Sequence, residues 1–246
     1  MSWRLDALVT GFPGKTATHG GLGWSSVTLL RDGVRTVLVD CGPPQYVNLL
    51  RERLAALGLT PEDITDIFAT HLHWDHVSNV TMFPHAKVAV GRSEFEWARL
   101  QPAGTFLVPD LHVAWLAADP DRARVVEPGV EFLPGVRAVH TPGHTPGHLA
   151  YVVETEDGPV LFAGDAAKNR YELATGDADS SLDFAASRAS IELLRSMLAD
   201  DPRLVMIPGH DLTLRLADGE VVAQGAQRAD FQVFADTRGP SPRDIN

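Results

Sequence analysis

The chain has 246 residues, 44% of them hydrophobic and 22% charged, with a formal net charge of −11. That balance suits a soluble globular domain with a sizeable core, and it argues against a nucleic-acid partner, because no Lys/Arg-rich stripe offsets the acid. No apolar run reaches the ~18 residues of a membrane span, and the start lacks a signal-peptide pattern. The single cysteine, Cys41, excludes an internal disulfide and fits a reducing cytoplasm.

Residues 16–23 are glycine-rich but lack the Gly-Lys-Ser/Thr ending of a phosphate loop, so they read as a turn. Residues 25–30 and 34–39 are β-rich runs joined by Arg31-Asp32-Gly33, a hairpin signal. The second run ends at Asp40, whose carboxylate either caps a turn or supports a metal ligand. Residues 45–57 put Val47, Leu50, Leu54 and Leu57 on one helical face, closed by Gly58. Thr60-Pro61-Glu62-Asp63 opens a turn, and residues 64–69 read as a buried strand. A short helix is expected over 77–82, a strand over 86–90, and a helix over 93–100 capped by Ser93.

Residues 101–121 look irregular and rich in Pro, Ala and aromatics. The segment is long for a plain loop; it either walls a substrate pocket with Phe106 and Trp115 or fills the core. His112 within it has no partner motif. Short strands are expected over 124–126, 130–133 and 136–139, and a hairpin over 149–153 and 159–163 turns at Asp157-Gly158. A helix over 183–198 starts at a possible Asp183 cap and carries Ile191, Leu194, Met197 and Leu198 at helical spacing. A buried strand over 204–207 and a last hairpin over 212–222 follow, and the tail from Thr237 is expected to be mobile. No repeat or linker divides the chain, which predicts one domain over 1–246 with its core over 20–225.

The chemistry gathers at Thr70-His71-Leu72-His73-Trp74-Asp75-His76. If the chain stays extended past the preceding strand, His71, His73 and Asp75 share one face while Leu72 and Trp74 turn into apolar packing. His76 adds a further ligand type where the chain should turn. A lone His is ordinarily a core or surface residue, but so many polar groups placed together are costly to bury without a partner. The same grammar of β-rich run, sharp turn, then His or Asp recurs at His144, at Asp165 and at His210. His71, His73, Asp75, His76, His144, Asp165 and His210 exceed one tetrahedral zinc and suit two ions sharing a carboxylate. Imidazoles with carboxylates and no thiolate favour zinc, iron, manganese or cobalt. Cys41, at a Cys-Gly-Pro-Pro turn, reads as structural.

His71-Leu72-His73-Trp74-Asp75-His76, Thr141-Pro142-Gly143-His144, Ala163-Gly164-Asp165 and Pro208-Gly209-His210 resemble, in order and spacing, the motifs of the metallo-β-lactamase-fold hydrolases. The resemblance implies an α/β fold, an αββα sandwich of two mixed sheets flanked by helices, with metals at one edge. It implies that His71, His73 and His144 hold one metal, that Asp75, His76 and His210 hold the second, and that Asp165 bridges. His148 then looks like a structural residue or one that supports a ligand from behind, and His140, His85 and His19 match no ligand position. Trp74 and the Thr-Pro-Gly-His repeat look most like the N-acyl-homoserine lactonase branch, which commonly has Tyr where this chain has Lys168. Tyr171 stands nearby in sequence.

The function implied is opening of a lactone or ester, a small-molecule carboxyl derivative, by a hydroxide held between the two metals. Asp75 would steady the leaving group, and Lys168 or Tyr171 would donate to the developing oxyanion. A thioesterase resembling the hydroxyacylglutathione hydrolases and a non-catalytic binding module are the alternatives. Degenerate binding modules are expected to lose ligands, and all seven positions are filled here.

Overall fold

Side chains alternate across a strand, so each buried strand must find apolar company on both of its faces. The computed structural model, which describes residues 2–18, 20–227, 230–233 and 241–244, meets that demand with two sheets between helical layers. The first sheet runs β1 (Arg4–Val9), β2 (Val27–Arg31), β3 (Thr36–Val39), β4 (Asp66–Phe68), β5 (Lys87–Gly91) and β6 (Ala123–Val126), adjacent in chain order. β1 to β3 are antiparallel; β3 to β6 are parallel. Parallel neighbours need a crossover, and helices supply it: α1 (Val47–Ala56) before β4, α2 (Trp74–Val77) before β5, and α3 (Arg92–Arg99) with α4 (Asp110–Ala117) before β6.

The second sheet comprises β7 (Glu131–Leu133), β8 (Val136–His140), β9 (Leu149–Thr155), β10 (Gly158–Gly164), β11 (Val205–Pro208), β12 (Leu214–Ala217) and β13 (Glu220–Ala223). Its one parallel pair is β10 with β11. α5 (Arg170–Thr175) and α6 (Phe184–Asp200) fill the connection between those two strands, and β14 (Asp230–Val233) pairs antiparallel with β15 (Ser241–Asp244). The rest of the tail from Thr237 lies outside the described residues.

Three apolar layers follow from the alternation. Val37, Val39 and Phe68 face Tyr151, Val153, Val160 and Phe162 between the sheets. Leu29, Leu38, Ile67 and Val88 turn the other way, onto Leu50, Leu54, Val113 and Leu116. Val152, Leu161, Ala163 and Met206 meet Leu173, Ile191, Leu194 and Leu198 on the far side. This is the expected αββα order.

Local expectations needed four corrections. Residues 101–121 are not irregular throughout, since α4 occupies their centre. β1 is a strand that the pattern Arg-Leu-Asp-Ala-Leu-Val did not disclose. Ser93 is no cap: α3 starts at Arg92, and Gly91 precedes it without a side-chain hydrogen bond. The chain also stays extended only as far as His73, so Asp75 reaches its place from α2 and not by strand alternation. Leu72 is buried in the core as expected, whereas Trp74 is half-buried.

Candidate metal centre

Five strand ends meet at one edge of the sandwich: those of β3, β4, β8, β10 and β11. Asp40 follows β3 with φ of 54°, a backbone region that Asp tolerates better than most residues. Its Oδ1 accepts from the Thr70 amide at 2.8 Å, and its Oδ2 lies 2.7 Å from Nδ1 of His76. Of the two readings of Asp40, the carboxylate therefore fulfils the second: it fixes an imidazole from behind and ties two strand ends together, and among the described residues it bonds nothing in its own turn.

All seven candidate residues come together. One ligand atom each from His71, His73 and His144 lie within 4.8 Å of one another, as do those of Asp75, His76 and His210, and those of His71, His76 and Asp165. Asp165 stands between the first two groups. Its Oδ1 is 3.3 Å from Nε2 of His76 and 3.3 Å from Nε2 of His210, whereas Oδ2 is 3.4 Å from Nε2 of His144. Asp75 Oδ2 lies 3.3 Å from Nε2 of His210.

The surrounding hydrogen bonds aim the rings. Nδ1 of His144 donates to the Ser180 carbonyl at 2.9 Å, and Nδ1 of His71 sits 3.1 Å from the Thr70 hydroxyl. His148, in the second Pro-Gly-His, accepts the Asp165 amide on Nε2 at 3.1 Å and meets the Thr141 hydroxyl with Nδ1 at 2.9 Å, and so stands behind a candidate ligand. Such partners set which nitrogen of an imidazole remains available.

Inside this shell, Nε2 of His71, His73 and His76 and Oδ1 of Asp165 are buried without a hydrogen-bond partner. Each such atom costs about 1–3 kcal/mol. His73 turns its other nitrogen, Nδ1, to within 2.9 Å of Nε2 of His144, and a cation would relieve the unpartnered atoms of His71, His76 and Asp165, which stand together. The titration behaviour divides the set: three imidazoles are kept neutral, and two others hold a proton that a bound cation would displace. Burial holds His71 well below the ordinary imidazole value, His73 at about 3 and His144 at about 4, which leaves their lone pairs free. Burial would also lower His76 and His210, but carboxylates, Asp165 first, outweigh it and push His76 well up and His210 to about 9. Burial would raise Asp165, yet His210 and His76 hold it well below the carboxylate range. The donor set thus fits two divalent ions sharing a carboxylate.

The other expected residues divide. Lys168 Nζ is 2.8 Å from Glu172 Oε1 and also donates to the Asp179 carbonyl, close enough to His144 for its charge to act there. Tyr171 is 60% exposed on α5, and among the described residues no hydrogen bond or ring contact links it to the cluster. Phe106 is 82% exposed on a loop whose next residue, Leu107, accepts the Trp74 amide at 2.9 Å. Trp115 packs on the core, under the Arg122 guanidinium 4.1 Å from its ring. Trp97, which the sequence reading passed over as a helix residue, sets its ring 6.1 Å from that of His73. Cys41 is fully buried, and burial pushes its thiol far above neutrality, as befits a structural residue. His140 accordingly stays outside the cluster, and His19 lies outside the described residues.

Residues 20–210 match the family described as the metallo-beta-lactamase superfamily. An N-acyl homoserine lactonase from a Bacillus species is 32% identical over 173 residues, 68% of this chain and 62% of that protein. The chain thus spans about three fifths of the length of that relative. Metallo-beta-lactamase domain-containing protein 1 of Xenopus laevis is 32% identical over 81% of this chain and 76% of its own length. In structure the chain is similar to AidC, a dizinc quorum-quenching lactonase solved with a product, at a TM-score of 0.69 and 17% identity, covering 82% of this chain and 80% of that one.

Proposed function

The chain belongs to the metallo-beta-lactamase superfamily, and on that footing we propose that it is a hydrolase, dependent on two divalent metal ions, that opens a lactone or related carboxylic ester. The observation that carries the reading is Asp165, which turns one oxygen to His76 and His210 and the other to His144. One ion would be held by His71, His73 and His144, the other by Asp75, His76 and His210, with Asp165 touching both. Zinc suits this set, and iron, manganese and cobalt suit it as well. When bound, such ions supply Lewis acidity, lowering the pKa of water and polarising a carbonyl.

The protein's own groups do the rest. Asp75 is the more accessible aspartate of the pair, its side chain 23% exposed against 5% for Asp165. On this reading it is the carboxylate that would take the proton of the attacking water and return it to the departing oxygen. Lys168 has three N–H donors and spends two on Glu172 and Asp179. The third serves a substrate carbonyl as negative charge builds on it. Tyr171 is the second candidate for that task and would have to swing inward from its exposed position.

The surroundings suit an apolar acyl group. Trp97 flanks His73, exposed Phe106 precedes the Leu107 carbonyl that holds the Trp74 amide, and exposed Leu182 and Phe184 follow a backbone hydrogen bond from Leu182 to Gly143, beside His144. The similarity to N-acyl homoserine lactonases supports the same substrate class. A panel of lactones, esters, thioesters and phosphodiesters on metal-loaded protein tests the reading. Lactones or esters are expected to turn over fastest, with the rate abolished by chelation and restored by added metal. Preferential phosphodiester cleavage would reject it.

A further inference from the structure

Glu94 is a carboxylate buried completely in the first turn of α3, and among the described residues it forms no ion pair. A buried charge without a cation is expensive unless hydrogen bonds hold it. Both of its oxygens are so held, by different parts of the chain. Oε1 accepts the Leu72 amide at 2.8 Å, and Oε2 accepts the Gly147 amide at 3.2 Å. Leu72 lies between His71 and His73, and Gly147 belongs to the loop that carries His144.

The approach is enforced by packing. A Cβ on Gly147 would stand 1.9 Å from the Glu94 amide nitrogen, and one on Gly91 would stand 2.5 Å from the Gly147 carbonyl oxygen. The second Pro-Gly-His of the repeat therefore supplies no ligand at its glycine but lets α3 abut the loop backbone to backbone. In its ionised form the carboxylate presents two acceptors and no donor to two N–H groups, and these bonds oppose a burial that raises its pKa to about 7. An amide of the same shape would turn an N–H₂ onto one of them.

We propose that Glu94 is a positioning residue that joins the two loops bearing His71, His73 and His144 and so sets the three-histidine metal position, without holding Asp75, His76 or His210. The inference rests on the two-metal reading above. Metal-free protein is titrated with Zn²⁺ against a chromophoric chelator as wild type, Glu94→Gln and Glu94→Asp, with melting temperatures recorded alongside. Wild type should take two equivalents. In Glu94→Gln one equivalent should weaken about 10–100-fold, the usual effect of losing a partner behind the ligands, while the other keeps its affinity. Glu94→Asp retains two acceptors on a shorter stem and should weaken the same equivalent less; it carries the test should the Gln variant not fold. Co²⁺ in place of Zn²⁺ should show an altered absorption spectrum for the affected site only. Two unchanged equivalents beside a lowered melting temperature would make Glu94 mere scaffold, and equal weakening of both would deny its selectivity; either overturns the proposal. A wild type that binds fewer than two equivalents instead defeats the two-metal reading, and Glu94 is then judged by whether the single equivalent weakens.

Discussion

Oδ1 of Asp165 lies 3.3 Å from Nε2 of His210, and the absence of a side chain at Gly209 permits it. A Cβ there would stand 2.1 Å from that same Oδ1 and 2.9 Å from the Gly164 carbonyl oxygen. The parallel strands β10 and β11 end side by side, and the Gly209 amide donates to that carbonyl at 2.8 Å. The Pro-Gly-His turn thus brings a histidine and an aspartate from different strand ends onto one point.

Gly209→Ala should accordingly displace the Asp165 carboxylate. Metal content and kcat/KM are both expected to fall, the latter about 10–100-fold or more, with the circular dichroism spectrum retained. An alanine variant with full metal and normal turnover would show that this approach does not matter.

Asp165→Ala and Lys168→Ala should fail differently. Loss of a carboxylate that faces both histidine groups removes metal and activity together. Loss of Lys168 should leave the metal in place and slow turnover about 10²–10³-fold, as the removal of an oxyanion donor does. Metal analysis beside kcat separates the two, and equal metal loss in both would deny Lys168 the donor role.

Phe106 and Trp115 part company as well. Phe106 is exposed on the loop whose Leu107 carbonyl accepts the Trp74 amide, and if it walls the acyl pocket Phe106→Ala should raise KM for long-chain esters more than it lowers kcat. Trp115 packs on the core beneath Arg122, so Trp115→Ala should lower the melting temperature and leave KM alone. The test is kinetic constants for both variants on the best lactone, with melting curves.

Arg170 binds the buried carboxylate of Asp211, next to His210, through Nε at 2.8 Å and Nη2 at 2.5 Å. Arg170→Ala leaves that carboxylate with backbone donors only. A loss of about 1–3 kcal/mol is expected, read as a melting temperature several degrees lower.

The candidate metal ligands are legible because each follows a strand-and-turn pattern confined to a few residues, and the Asp183 cap is legible for the same reason: its Oδ1 accepts the Ala185 and Ala186 amides at 3.0 Å. What escaped reading depends on distant parts of the chain. Glu94 resembles any exposed helical glutamate until Leu72 and Gly147 arrive from elsewhere. α4 was hidden because Asp-Leu-His-Val-Ala-Trp-Leu-Ala is apolar on nearly every side, exposed Leu111 included, and so shows no helical stripe. Asp75 joins the cluster for a different backbone reason than strand alternation, since the chain coils into α2 just before it.

Metal stoichiometry tests the central claim most directly. Elemental analysis of gently purified protein should approach two transition-metal ions per chain, as two histidine groups sharing Asp165 require. A value of one, unchanged after incubation with excess zinc or manganese, would contradict the account.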